Sequence, residues 1–244
     1  HIKFILGRTN QYNGRAYTED NTVMSWQVAN EPRIFTESDR EPFKIWLDKT
    51  VALLEKLDSN TLISTGAEGK ASYLEDIDTY EMLHSNKDID YLTMHMWPKN
   101  WQWYDINNEE TSTNTSIEKA NAYIDEHIEV AEKLNKPIVI SEFGFPRAKE
   151  SLMKNASVAN RNKFYKAIFG RLEDSYKTKG ELSGVNFWGF AGFAKTDQKR
   201  GKWETGDDFS ADPPQEPQGL NSVFATDKST LDLVYKYNKL INNL

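Results

Sequence analysis

Residues 23–33 read VMSWQVANEPR, a mostly apolar run that ends in Asn30 and Glu31 before a proline. A short apolar run bounded by turn residues is typical of a strand buried in a parallel sheet. Residues 136–147, KPIVISEFGFPR, repeat this arrangement, with Glu142 after the apolar run. The pattern therefore predicts that both glutamates lie at the carboxyl ends of buried strands.

Five segments share this buried-strand pattern: Val23–Ala29, Thr61–Thr65, Tyr91–His95, Ile138–Glu142 and Val185–Gly189. Amphipathic patterns between and after them predict helices, because apolar residues recur at spacings of three and four. These cover residues 41–57, 116–134, 158–176 and 229–241. Strands that alternate with helices indicate βαβ units, which build either a doubly wound sheet or a closed barrel.

The loops favour the barrel. Polar and aromatic residues gather after the carboxyl ends of the strands, where a (β/α)8 barrel places its active site. No glycine-rich phosphate loop follows any strand, which argues against a nucleotide-binding sheet. The predicted fold class is therefore α/β, a (β/α)8 TIM barrel. Residues 195–218, rich in Gly, Pro and Asp, are predicted to form a long structured loop within it.

A complete barrel has eight strands, and only five are visible in this sequence. The chain also opens with IKFILGRTN, residues 2–10, which resembles the end of a helix. We therefore expect residues 1–244 to form the C-terminal portion of one catalytic barrel, with about three N-terminal βα units missing. Those units would belong to a preceding segment or to a companion chain.

Composition excludes several classes of function. The net charge is −7 with a pI near 5.3 and no long basic run, so a nucleic-acid partner is not expected. The chain has no cysteine, which excludes disulfides, thiolate metal ligands and a cysteine nucleophile. No run of 18 apolar residues predicts a membrane span. The acidic residues of the long loop do not have EF-hand spacing, so no metal and no cofactor are predicted.

Hydrolysis of a glycosidic bond requires one carboxylic acid near the leaving oxygen and one carboxylate near the anomeric carbon. Glu31 and Glu142 are candidates, because their spacing along the chain corresponds to three βα units. A retaining pair would hold its carboxyl groups about 5–5.5 Å apart. The alternative is structural, since a glutamate at a strand end can also cap a helix or pair with an arginine.

Four segments carry a resemblance to a known family: VMSWQVANEPR, YLTMHMWPKNWQWYD, KPIVISEFGFPR and DPPQEPQGLNSVF. They resemble clan A glycoside hydrolases of family five, and within it the bacterial endo-β-1,4-mannanases. The resemblance implies that the visible strands are the fourth to the eighth. It also implies that Glu31 is the acid/base and Glu142 the nucleophile, acting on β-mannan or manno-oligosaccharides.

The resemblance extends to neighbouring residues. It implies that Asn30 bonds the sugar hydroxyl at C2, that His95 orders the site and that Trp188 stacks on the sugar ring. Each has a structural alternative: an Asx turn, a buried histidine and a core tryptophan. Trp97 stands where the family commonly has a tyrosine, and an indole can only donate, so the role of that hydroxyl is not carried over.

Three further tryptophans, Trp101, Trp103 and Trp203, could extend the cleft for additional sugars. Packing within their own loops is the alternative.

The expected activity is retaining, endo-acting hydrolysis of β-1,4-mannosidic bonds in mannan, glucomannan or galactomannan. Two alternatives remain: a cellulase or other β-glucan hydrolase of the same clan, and a non-catalytic carbohydrate-binding half-barrel. The expected location is secreted, periplasmic or at the cell surface, although no signal region is visible in the first residues.

Overall fold

The computed structural model describes residues 1–196 and 201–243. Its α-helices are α1 Ile2–Leu6, α2 Arg40–Leu57, α3 Ile77–His84, α4 Glu109–Leu134, α5 Ala159–Thr178 and α6 Lys228–Ile241. Its strands are β1 Ser25–Gln27, β2 Leu62–Ser64, β3 Leu92–Met96, β4 Ile138–Phe143, β5 Leu182–Phe187, β6 Phe190–Gly192 and β7 Val223–Phe224. The chain divides into two compact units. The first contains His1–Met94 and Glu126–Val139, and the second contains His95–Asp125 and the described residues of Ile140–Leu244.

In the first unit, β1 and β2 pair in parallel, with Trp26 opposite Ile63. Helix α2 buries Leu47, Val51 and Leu54, which lie on one face because they are four and three residues apart. Burial of each such side chain contributes about 1.5–3 kcal/mol. The parallel strand and its helix thus form a βαβ unit, as predicted.

A second sheet contains β3, β4 and β5 in that order. A cluster of aromatic rings packs beneath it, with Phe143 of β4 in contact with Phe164 and Phe169 of α5. All three side chains are buried. The strands β6 and β7 form a separate parallel pair with an irregular register. The carboxyl end of β4 therefore packs on a layer of buried aromatic rings from α5.

All five predicted strands are present, each within a few residues of its predicted bounds. Helix α4 begins at Glu109, earlier than predicted from residue 116 onwards. The hydroxyls of Thr113 and Ser116 donate to carbonyls four residues before them, so polar residues continue the helix without an apolar pattern. The short elements α3, β6 and β7 were not predicted, because they are too brief to show a period.

The described part of the predicted loop at residues 195–218 contains turns and bends but no helix or strand. Residues 197–200 of that loop lie outside the described residues. Among the helices of residues 1–196 and 201–243, none is both long and apolar enough to cross a membrane.

Candidate active site

Glu31 lies just after β1, where the parallel pairing continues into the loop. The backbone N–H of Ala29 donates to the carbonyl of Thr65 at 3.3 Å, and that of Glu31 donates to Gly66 at 2.9 Å. Glu31 has a φ of 48°, in the left-handed region that non-glycine residues seldom adopt. Neighbouring Asn30 is exposed. The loop therefore holds Glu31 in a fixed and unusual backbone conformation, which is common at functional sites.

Gly66 makes this close approach possible. Its φ is 75°, and a Cβ built on it would lie 2.0 Å from the carbonyl oxygen of Ala29. Only glycine can occupy that position without moving the loop that carries Glu31.

Two charged residues accompany Glu31 in the first unit. Arg33 Nη2 lies 3.2 Å from Glu31 Oε2 and also contacts Glu68 Oε2. The Glu68 side chain is only 2% exposed, whereas Arg33 is 39% exposed. One guanidinium thus bridges the two carboxyl groups from the solvent side.

The environment of Glu68 favours its protonated form. The pKa of Glu68 is raised to about 7, chiefly by burial and next by the charge of Glu31, while Arg33 opposes the shift. Glu68 also shares a side-chain hydrogen bond with Glu31, and the more distant Glu75 acts in the same direction as Glu31. Two carboxyl groups in contact cannot both ionise freely, so they titrate as a coupled pair.

In the second unit, Glu142 lies on β4 and His95 on β3. His95 Nδ1 is 3.3 Å from Glu142 Oε2, and the histidine is almost fully buried. The Glu142 side chain is 13% exposed, so it is largely desolvated but still accessible to solvent. Because the ring is held by packing, it can fix the orientation of the carboxylate, as a nucleophile requires.

Two tryptophans lie close to the backbone that follows Glu142. The rings of Trp97 and Trp188 meet edge to face, with centroids 6.3 Å apart. The backbone N–H of Trp188 donates to the carbonyl of Phe143, the residue directly after Glu142, at 2.8 Å. A Cβ on Gly144 would lie 2.7 Å from Trp97 Cζ3, so the backbone there runs against the indole. Both rings are half-buried and retain surface that a sugar can contact.

The other three tryptophans are placed differently. Trp101 and Trp103 meet at 4.9 Å and both pack against Tyr123 of α4. Trp203 stacks on Phe209 at 5.1 Å with ring planes only 11° apart. Each of the three is half-buried, so both predicted roles, packing and sugar contact, are open to them.

A buried arginine secures the segment after Glu142. Arg161 of α5 is fully buried and donates to the carbonyl oxygens of Phe145, Leu220 and Ser222 at 2.7–2.9 Å. Burial lowers the pKa of Arg161 to about 10, with Asp227 opposing that shift. The guanidinium thereby ties the loop after β4 to the loop before β7.

Within the second unit, the structure brings His95 to Glu142, Trp97 to Trp188, and Trp101 to Trp103. It brings Glu31 together with Arg33 and Glu68, which the sequence analysis did not select. Glu68 lies in STGAEGK, residues 64–70, after β2. Its position after a buried strand was the available signal, but three residues separate it from the strand end.

Comparison with known proteins gives a family. The whole chain, residues 1–244, matches the family described as GH family 5 beta-mannosidase-like. Mannan endo-1,4-beta-mannosidase 4 of Solanum lycopersicum is 30% identical over 200 residues, which cover 77% of this chain and 47% of that protein. The chain thus spans about half the length of the curated relatives it matches. That plant relative shows that the resemblance is not confined to bacterial enzymes.

Solved structures of a mannosidase and a mannanase are also similar to this chain. A family 5 mannosidase from Rhizomucor miehei in complex with mannosyl-fructose has a TM-score of 0.85 at 27% identity, covering 100% of this chain and 58% of that one. The endo-beta-1,4-mannanase from Thermotoga petrophila has a TM-score of 0.67 at 23% identity, covering 99% and 49%. These comparisons confirm the predicted (β/α)8 fold class, of which the chain covers part. The chain belongs to the glycoside hydrolase family 5 β-mannosidase-like family.

Proposed function

We propose that the protein hydrolyses internal β-1,4-mannosidic bonds of mannan, glucomannan or galactomannan with retention of configuration. The family match over residues 1–244 carries this proposal. The plant relatives, which are named as mannan endo-1,4-beta-mannosidases, support the substrate. Because such a polymer cannot cross a membrane, we also propose that the protein acts outside the cytoplasm.

In the first step, the Glu142 carboxylate attacks the anomeric carbon while the bond to the leaving oxygen breaks. Glu31 gives its proton to that oxygen, and a covalent mannosyl ester forms on Glu142. His95 supports this role, because its buried ring keeps the carboxylate oriented at 3.3 Å.

In the second step, Glu31 removes a proton from water, and the water oxygen attacks the same carbon. The ester bond to Glu142 breaks, and the product regains the β configuration. Asn30 would bond the hydroxyl at C2, and Trp188 and Trp97 would contact the sugar rings. Trp101, Trp103 and Trp203 would bind sugars farther from the cleaved bond.

Rates on two polymers test the substrate. The purified protein should release reducing sugar from glucomannan at least about tenfold faster than from carboxymethyl cellulose, because a site that bonds the mannose hydroxyls leaves polar groups unpaired with glucose. Glu142→Ala, prepared in parallel, controls for contaminating hydrolases and should be inactive on both. Equal or reversed rates would reject a mannan-specific site and favour a β-glucan hydrolase.

A second candidate is an exo-acting β-mannosidase, which removes single mannosyl units from a chain end. The observation that favours it is structural: the Rhizomucor miehei mannosidase has a higher TM-score, 0.85, than the Thermotoga petrophila mannanase, 0.67. Both activities use the same acid pair, so they differ in the products and not in the chemistry.

A further inference from the structure

Glu68 is a buried acid next to the proposed acid/base, yet the reaction described above gives it no task. It is 1% exposed, and its backbone N–H donates to Ser72 Oγ at 3.0 Å. A buried carboxyl group costs folding free energy unless it is paired or protonated. We therefore expect Glu68 to have a role that offsets this cost in folding free energy.

The backbone brings Glu68 and Glu31 together. The hydrogen bond from Glu31 N–H to Gly66 O places the loop after β1 on the loop after β2. Arg33 then touches both carboxyl groups, at 3.2 Å from Glu31 and in closer contact with Glu68. The two glutamates also share a side-chain hydrogen bond. Two carboxyl oxygens can bond to each other only when a proton lies between them.

We propose that Glu68 is a positioning residue for Glu31, and that the two carboxyl groups share one proton, which keeps Glu31 ready to act as an acid. This inference rests on the proposed function, because it assigns Glu31 the proton that reaches the leaving oxygen. When the pair carries one negative charge, Arg33 balances it. Loss of this shared proton would place two carboxylate anions in contact in a partly buried loop, so the pair retains it.

The surroundings of Glu68 favour retention of one proton by the Glu31–Glu68 pair. Burial is the largest influence that raises the pKa of Glu68 to about 7, followed by the charge of Glu31. Arg33 lowers it, and Glu75 raises it slightly. The pair should therefore lose its last proton near neutrality, well above the pKa of an ordinary glutamate.

A purely structural Glu68 would serve only as a counter-ion for Arg33. In that case its removal would change stability or overall rate but would not move the pH dependence of catalysis. The basic limb of the kcat/KM profile reports the acid of the free enzyme, so it separates the two roles.

The kinetic test compares wild type, Glu68→Gln and the control Glu75→Gln on manno-oligosaccharides, whose poor leaving groups need protonation. In Glu68→Gln the neutral amide donates to ionised Glu31 and lowers its pKa, so the basic limb should move down by about one pH unit or more. Activity at pH 7.5 relative to pH 5 should then fall about tenfold. Exposed Glu75 undergoes the same chemical change and, because its influence on the pKa of Glu68 is the smallest of those named, should move the limb far less. An unmoved limb in Glu68→Gln would overturn the proposal.

A titration that needs no activity accompanies it. With glutamate labelled with 13C at the side-chain carboxyl, wild type should show a carboxyl resonance that titrates near pH 7. In Glu31→Gln that resonance should move to lower pH, because the neighbouring charge is gone, and in Glu68→Gln it should vanish. Absence of any such resonance in wild type would overturn the inference even if mannan is cleaved. A coupled titration without mannan cleavage would reject the proposed function alone.

Discussion

In the proposed mechanism, Glu31 and Glu142 carry opposite demands, since Glu31 must hold a proton while Glu142 must be ionised. Their surroundings differ accordingly. Glu31 lies with a second carboxyl group and an arginine, whereas Glu142 lies against a buried histidine. Single substitutions at these two positions therefore have distinguishable consequences.

Azide should identify the two roles. Glu142→Ala cannot form the covalent intermediate and should lose turnover, by about 10⁴-fold or more. Azide should restore it by direct attack, giving an α-mannosyl azide. Glu31→Ala should still cleave aryl mannosides with good leaving groups, and azide should then give the β-mannosyl azide. The anomer of each product is read by NMR, and the opposite anomers would show that the roles are exchanged.

Gly66→Ala should disturb the loop that carries Glu31. The added Cβ would lie 2.0 Å from the carbonyl oxygen of Ala29, and φ is positive, so unfolding free energy should drop by about 2–3 kcal/mol or more. Gly170→Ala is the matched control, since it is helical with open space around the Cβ. That variant should gain up to about 1 kcal/mol. Urea unfolding measures both, and equal stability of the two variants would contradict the argument.

At the level of elements, helix α3 is anchored at each end. Asp76 caps its first turn by accepting from the N–H of Asp78. At the other end, His84 Nδ1 lies 2.7 Å from the carbonyl of Tyr80 and Nε2 lies 2.8 Å from Thr65 Oγ1. The neutral ring satisfies both contacts, with Nδ1–H donating to the carbonyl and Nε2 accepting from the hydroxyl.

His84 should make the fold sensitive to acid. Burial lowers its pKa from 6.5 to about 4, so below pH 6.5 the unfolded chain binds a proton that the folded one does not. The contribution of His84 to the free energy of unfolding is therefore complete above pH 6.5, the pKa of the unfolded chain's histidine. It is lost as the pH falls towards about 4. Between pH 7 and 4.5 this one residue should cost about 2 kcal/mol.

Urea unfolding at several pH values measures this loss. His84→Gln should be less stable than wild type at pH 7 but should show a flatter pH dependence over the same interval. Parallel curves for the two proteins would exclude His84 as the source.

At the level of the whole molecule, the products distinguish internal from terminal cleavage of the polymer. An endo-acting enzyme should reduce the viscosity of glucomannan sharply for each reducing end released and should give a range of oligosaccharides. An exo-acting enzyme should leave viscosity nearly unchanged and should release mannose alone. Chromatography of early products with viscometry on one digest separates the two, and mannose as the sole early product would replace the endo proposal with the exo candidate.

Much of the fold was predictable from the pattern of apolar and polar residues in the sequence. Short apolar runs are typical of strands with both faces buried in a parallel sheet, and amphipathic helices cover such a sheet, so the strands and the βαβ order were predictable. Glu31 and Glu142 were selected as candidates for the same reason, since each is the first acid after such a run. The family resemblance added their roles.

The remaining features depend on contacts between residues far apart in the chain. The left-handed backbone of Glu31 exists because Gly66 lets two loops approach, and Glu68 meets Arg33 only across that approach. Sequence periodicity carries no information on such contacts, because it records which face of an element is buried and not what lies against it. The strand ends and their glutamates were thus determined by sequence alone, while tertiary packing decided which groups surround each carboxylate.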